Sequence, residues 1–414
     1  MNTSTLNREI AYEDSKLPLT VVFSATRWRE PPRTRHQITS QLAHWSHVLF
    51  IEYFPTKERE DLQFEMVGPR IAVWRPGRLT GMSAATLNRL PGAQRLLAWK
   101  ANRIVASVVS TIEAPFKILV NFSHAASSLM KLRTFITKVY VCVDDFPLMW
   151  RQRSRPPLWR YLPQKLFGLW HERSVARAAD LCLAVHQPLV DRLLGFNKNT
   201  HLLMQAVELD SYLGLPKCPE RNPDGKIRVA FMGYVTYNQL EDWLEAVAEQ
   251  ENMELWLIGP IDHKFDPEGR VSGPRVVRTG VKTGRDLAET LRQIDVLIMA
   301  YNPEIPEVAV QTASNKFFQY LASGRPVVIS DLKHYVNLPE GCLYRARTRE
   351  EFIQQIRRAF REDCTKFQET RWTVACENTW DRRGEQIHGQ LRKLCGGKIP
   401  PLTQQPKGGY RLPD

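Results

Sequence analysis

Short runs of consecutive apolar residues alternate along the chain with longer stretches in which apolar positions recur every three or four residues. That is the pattern of a parallel sheet covered by helices on both faces. In the first half the runs Leu19–Phe23, Val48–Phe54, Ile71–Trp74, Lys117–Phe122, Val139–Val143 and Leu181–Val185 predict strands, enough for one doubly wound sheet. A stretch rich in proline, glycine and charge, GLPKCPERNPDGK, then interrupts the pattern as a linker would. The runs restart with Arg228–Met232, Glu254–Ile258, Val276–Thr279, Val296–Ala300 and Pro326–Ser330, predicting a second, smaller sheet. The expected fold class is α/β, with two Rossmann-like domains facing a cleft. The first covers residues 17–213, the linker 214–226 and the second domain 227–377, while an amphipathic helix over 378–396 is expected to pack back on the first domain.

Composition narrows the class of protein. A chain of 414 residues is long enough for two cores, and 43% hydrophobic with 24% charged residues is ordinary globular usage, which excludes collagen-like, solenoid and disordered readings. The formal net charge of +13 calls for an anionic partner: nucleic acid, an acidic membrane leaflet or a phosphorylated substrate. Seven cysteines stand without a CxxC pair, which suggests neither a zinc site nor a disulfide framework and fits a reducing cytoplasm. The polar start of the chain, and the absence of an apolar run approaching the ~20 residues a spanning helix needs, lead us to expect no export signal and no transmembrane segment.

In parallel sheets ligands gather beyond the carboxyl ends of the strands, so those turns are where chemistry is sought. Gly233 with Tyr234 follows the first strand of the second half and Gly259 follows the next, places where backbone can approach a ligand closely. After Val296–Ala300, Tyr301 leads through NPEIPEVAVQ to TASNKFFQYLASGRPVVIS, where Thr312 to Asn315 read as a helix start. Free N–H groups there favour an anion, Ser314 adds a hydroxyl, Lys316 adds a full charge, and Gln319 could reach a ribose hydroxyl. A diphosphate would be held without any metal. The bland alternative is a capped helix with Phe317, Phe318, Leu321 and Ala322 buried and Lys316, Gln319 and Tyr320 facing elsewhere.

In the first half, Asp144 and Asp145 stand just past the strand VYVCV. A carboxylate in a dry cleft beside its twin would have the raised pKa suited to deprotonating a sugar hydroxyl, unless the pair merely caps a segment or meets nearby arginines. The loop after the first strand carries Arg27, Arg29, Arg33, Arg35 and His36, of which Arg33 and His36 are candidates for positioning a phosphate-bearing acceptor. Between Met149 and Arg177, seven Arg or Lys face one Glu and are interspersed with aromatic residues. Trp150, Arg151, Arg153, Arg155, Trp159, Arg160, Lys165 and Trp170 are candidates for contact with an anionic membrane surface, against a solvated basic loop and helix. No nucleic-acid-binding signature accompanies them, so nucleic acid is not expected as a partner.

SNKFFQYLASGRPVV, together with FMGY, LIGP and the closing NTWDRRGEQI, resembles the two-domain B-type (GT-B) glycosyltransferases of group 1. A narrower likeness, at RHQITSQLA, VYVCVDDF and AYNPEIPEVAVQTASNKFFQY, is to the membrane-associated glucuronosyltransferase of xanthan biosynthesis. The resemblance implies inverting, metal-independent transfer with Asp144 as base, and Tyr301, Ser314, Asn315, Lys316 and Gln319 at donor-binding positions. Retaining relatives usually carry two glutamates with seven residues between them where this chain has Gln311 and Gln319, which counts against the retaining mechanism. The activity so implied moves a sugar from a nucleoside diphosphate sugar, UDP favoured, to a lipid-linked or polysaccharide acceptor. It would take place in the cytoplasm at the inner face of the plasma membrane, with no cofactor. The alternatives are a retaining group 1-like hexosyltransferase, a nucleotide-sugar epimerase on the same architecture, or a membrane- or RNA-binding protein with a decayed donor site.

Overall fold

A computed structural model of the chain describes residues 16–30, 32–53, 64–76, 93–124, 126–145, 158–215, 225–262, 265 and 271–402. The chain divides into two compact units, one of Met1–Leu203 with Arg383–Asp414 and the other of Met204–Arg382.

The first unit is built on β1 (Leu19–Ser24), β2 (His47–Glu52), β3 (Phe64–Gly68), β4 (Ile71–Trp74), β5 (Lys117–Asn121), β6 (Thr137–Cys142), β7 (Leu181–Ala184) and β8 (Thr200–Leu202). Their order is β3-β4-β2-β1-β5-β6-β7-β8, and β3 is antiparallel to β4 while the other pairs are parallel. Every residue of β1 is buried because it has neighbours on both edges and layers on both faces, hence its unbroken apolar run. The helices are α1 (Thr34–Leu42), α2 (Ala93–Thr111), α3 (Leu158–Ala178) and α4 (Gln187–Leu194). The connections from β1 run toward β2 and those from β5 toward β6, so the strand order reverses between β1 and β5 and opens a crevice at their carboxyl ends.

The second unit holds β9 (Ile227–Met232), β10 (Met253–Ile258), β11 (Val276–Gly280), β12 (Val296–Met299), β13 (Val327–Ser330) and β14 (Leu343–Ala346), all parallel in the order β11-β10-β9-β12-β13-β14. Its helices are α5 (Glu241–Glu249), α6 (Gly284–Arg292), α7 (Asn315–Ala322), α8 (Arg349–Glu362) and α9 (Thr365–Glu377), with one helical turn at Pro306–Ala309. The reversal here lies between β9 and β12.

The change of unit falls at Leu203/Met204, ahead of the linker expected at 214–226. Val207 and Tyr212 are the reason: both are buried in the second unit's core, and Val207 bridges to Thr379. Most of the linker stretch, 216–224, lies outside the described residues. α10 (Trp380–Leu394) carries the chain back into the first unit, where Gly384 meets Gln41 and the His388 ring lies edge-on to Trp45, 5.0 Å away.

Candidate functional site

In the second unit the site grows from two strand ends. β9 and β10 both run into glycine at positive φ, +116° at Gly233 and +131° at Gly259. A Cβ on Gly259 would lie 2.5 Å from the Gly233 carbonyl oxygen, and one on Gly233 would lie 2.7 Å from Lys316 Nζ. Only glycine lets these two turns and the lysine converge. The Gly233 N–H donates to the Ile258 carbonyl at 2.7 Å and the Val235 N–H to Pro260 at 3.0 Å, locking the turns side by side.

Lys316, in the first turn of α7, lays its ammonium 4.2 Å from the centre of the Phe231 ring and 5.3 Å from that of Tyr301. Among the described residues no carboxylate lies within ion-pair distance of it. Ser314 caps α7 in extended conformation without a side-chain capping bond, and its N–H donates to the Tyr335 hydroxyl at 3.3 Å. The Phe317 N–H donates back to the Ser314 carbonyl at 3.1 Å, which leaves Asn315 and Lys316 as the first-turn residues whose N–H groups have no intrahelical carbonyl to meet. Beside them, the enclosed oxygens Asn315 Oδ1 and Gln311 Oε1 accept no hydrogen bond within the described residues. A cation without an acidic partner, helix-start donors and unmatched acceptors therefore gather at the β9/β12 reversal.

The other predicted donor residues are spread around this centre. Tyr301 is buried, with its carbonyl accepting from the Ser330 hydroxyl at 2.6 Å. Tyr234 is exposed and reaches Asp262 at 3.4 Å, and Gln319 is half-buried on α7. Tyr320 corrects the expectation that it faces away from the core. It is fully buried, its hydroxyl accepting the Met232 N–H at 2.7 Å and donating to the Ile298 carbonyl at 3.4 Å. β9 and β12 pair only at Val229–Ala230 with Val296–Leu297, and the phenol fills the gap where they part.

In the first unit Asp144 and Asp145 point apart. Asp145 is 3% exposed and accepts from Arg192 Nη1 at 2.7 Å, whereas the Asp144 side chain is 51% exposed with Arg35 Nη2 3.9 Å from its Oδ2. The dry twin-carboxylate environment expected from sequence is therefore not formed: one carboxylate is committed to an arginine and the other is half open to water. Arg35 is half-buried, bonded to Thr26 Oγ1 at 2.9 Å, with its guanidinium 6.0 Å from the Phe122 ring centre. Burial pushes it below the ordinary arginine range and Asp144 pulls it back up.

His36 is fully buried rather than presented to an acceptor. Its Nδ1 accepts the Arg33 N–H at 3.0 Å, so its Nε2 carries the proton and donates to the Arg27 carbonyl at 2.8 Å. Burial holds it below the ordinary histidine pKa. It shapes the β1–α1 loop, while Arg33 stays exposed and pairs with Glu30 at 3.2 Å.

Of the membrane candidates, Trp150, Arg151, Arg153 and Arg155 lie outside the described residues, as do the side chains of Trp159 and Arg160. On α3, Leu162, Leu166, Phe167 and Trp170 are exposed on one face with Lys165 half-buried, while His171 and Glu172 turn inward. Sequence reading missed Glu172 and Arg192, because the contacts that define them span 20 and 47 residues of chain. No helix among the described residues is long and apolar enough to cross a membrane.

Residues 226–362 match the family described as "Glycosyl transferases group 1". Similar solved structures include a sucrose-phosphate synthase from Thermosynechococcus elongatus, at 16% identity over 92% of this chain and 99% of that chain, TM-score 0.68. Another is an α,α-trehalose-phosphate synthase (UDP-forming) from Burkholderia vietnamiensis, at 11% identity over 92% and 99%, TM-score 0.67. A third, described as trehalose-6-phosphate from E. coli bound with UDP-2-fluoro glucose, has 12% identity over 91% and 99%, TM-score 0.65. No curated protein matches the chain in sequence. The fold matches that of these solved structures, and the stretch that matches the group 1 glycosyl transferases lies within the second unit.

Proposed function

We propose that the protein transfers a sugar from a nucleoside diphosphate sugar, with UDP as the favoured nucleotide, to a lipid-linked or polysaccharide acceptor. The single observation behind the donor assignment is the Lys316 ammonium, held at the β9/β12 reversal on two aromatic rings beside Gly233 and the start of α7. A diphosphate there would gain a full charge, helix-start N–H groups and the helix dipole, which together stabilise the departing nucleotide as charge builds on it. One of the similar proteins is bound with a UDP-sugar, which favours UDP over GDP. Asp144 serves as base on the acceptor hydroxyl and transfer inverts the anomeric centre. No metal is needed, so EDTA leaves the rate unchanged.

A thermal-shift panel of UDP, GDP and their sugars tests this, since a ligand bound only by the folded state raises its melting temperature. We expect UDP compounds to stabilise the protein. A flat response across the panel would remove the donor site from α7.

The exposed stripe of α3 favours docking at an anionic leaflet: Leu162, Leu166, Phe167 and Trp170 lie on one helix face among basic residues.

A further inference from the structure

Behind the Asp144 loop lies a buried charge cluster that no donor or membrane role explains. Arg192 of α4 places Nη1 2.7 Å from Asp145 Oδ1, Nε 2.9 Å from Glu172 Oε2 and Nη2 3.1 Å from Glu172 Oε1. The Tyr140 hydroxyl donates to Glu172 Oε1 at 3.2 Å, and the Cys142 thiol lies 3.5 Å from both that oxygen and the Asp144 carbonyl. Two buried carboxylates on one guanidinium cost desolvation that pairing only partly returns, so the cluster is a poor device for merely fastening helices to a sheet. It fixes the chain just after β6 through the Asp145 side chain and the Asp144 carbonyl, leaving the Asp144 carboxylate facing out toward Arg35.

We propose that Arg192, seated by Glu172, is a positioning residue for sugar transfer: it pins Asp145 so that the adjoining Asp144 carboxylate keeps one direction, and it neutralises the charge beside that carboxylate. This rests on the reading of Asp144 as base. Among the described residues, the charged and titratable groups around the pair are Arg35 from α1, Glu172 and His171 from α3, Arg192 from α4, Tyr140 and Cys142 from β6, and His124 after β5. Without Arg192 the positive charge behind the Asp144 loop is lost, which raises the proton affinity of Asp144 and moves the acid limb of the rate profile to higher pH.

The test measures UDP release to water from UDP-glucose, UDP-galactose and UDP-glucuronate as a function of pH. Wild type is compared with Asp144→Asn, Arg192→Met, Arg192→Lys and Glu172→Gln, and UDP affinity is measured by calorimetry. Arg192→Met is expected to lose roughly tenfold to a hundredfold in kcat with UDP affinity unchanged, the scale set by misplacing a catalytic group by about 1 Å. Its acid limb should rise, and Arg192→Lys should recover part of the rate. Wild-type kcat and pH profile in Arg192→Met, alongside an inactive Asp144→Asn, would overturn the positioning role alone. A fully active Asp144→Asn would instead remove the base assignment beneath it. Should Arg192→Met not fold, Arg192→Lys and Glu172→Gln decide: lowered kcat at unchanged UDP affinity supports the role, and wild-type kcat in both refutes it.

Discussion

Gly233 and Gly259 look alike in sequence, yet their surroundings predict different costs for the same substitution. At Gly259 a methyl group meets the Gly233 carbonyl at 2.5 Å, backbone that cannot swing aside, at a φ of +131°. At Gly233 it meets the tip of Lys316 at 2.7 Å, which can. Gly259→Ala should therefore destabilise the second unit by about 2–4 kcal/mol. Gly233→Ala should cost less stability, only the strain of its positive φ, and instead displace the lysine. Chemical denaturation checks the first, and UDP affinity the second. Residue identity made Lys316 and the glycines readable, because a charge at a helix start and a glycine after a strand carry their chemistry locally. Tyr320, His36, Glu172 and Arg192 were not readable in this way. Tyr320 has partners on other strands, and the two contacts of Arg192 span 47 and 20 residues, so no local pattern announces them. His36 has near partners, but a histidine's two nitrogens take their roles only once the loop is folded.

Among the elements, strands flanked on both edges were legible because full burial demands an unbroken apolar run: β1, β9 and β12 all fall within a residue of their sequence-predicted bounds. β3, β8 and β14 were missed for a shared reason. Each is an edge strand, half-buried or three residues long, and FEMVG, THL and LYRA carry no continuous apolar signal. α3 combines both situations, since its inner side holds His171 and Glu172 while its outer side exposes Leu162, Leu166, Phe167 and Trp170. Aspartate at Leu166 and Trp170 should abolish sedimentation with vesicles containing phosphatidylserine and leave the melting temperature nearly unchanged, because neither side chain belongs to the buried core. Co-sedimentation undiminished by the double substitution would contradict docking through this face.

For the whole molecule, the net charge of +13 is spread over a chain whose first unit also buries neutral histidines. Burial lowers His186 from an ordinary 6.5 to about 4, and lowers His36 as well. The unfolded chain takes up these protons as pH falls below about 6.5 and the folded one refuses them, so stability is complete above that point and declines toward pH 4. His186 alone should cost roughly 3 kcal/mol across that window. Melting curves between neutral and mildly acid pH should show the decline, and His186→Gln should flatten it. The organisation into two units was legible from the restart of the apolar runs, but the point of change was not, because Val207 and Tyr212 join the second core through contacts that lie far along the chain. The central claim is that the second unit holds the donor's diphosphate at Lys316. Calorimetric titration of UDP into wild type and Lys316→Ala tests it most directly: loss of one charged contact should weaken binding by about 1.5–3 kcal/mol, roughly tenfold to a hundredfold, whereas equal affinity in the two proteins would contradict it.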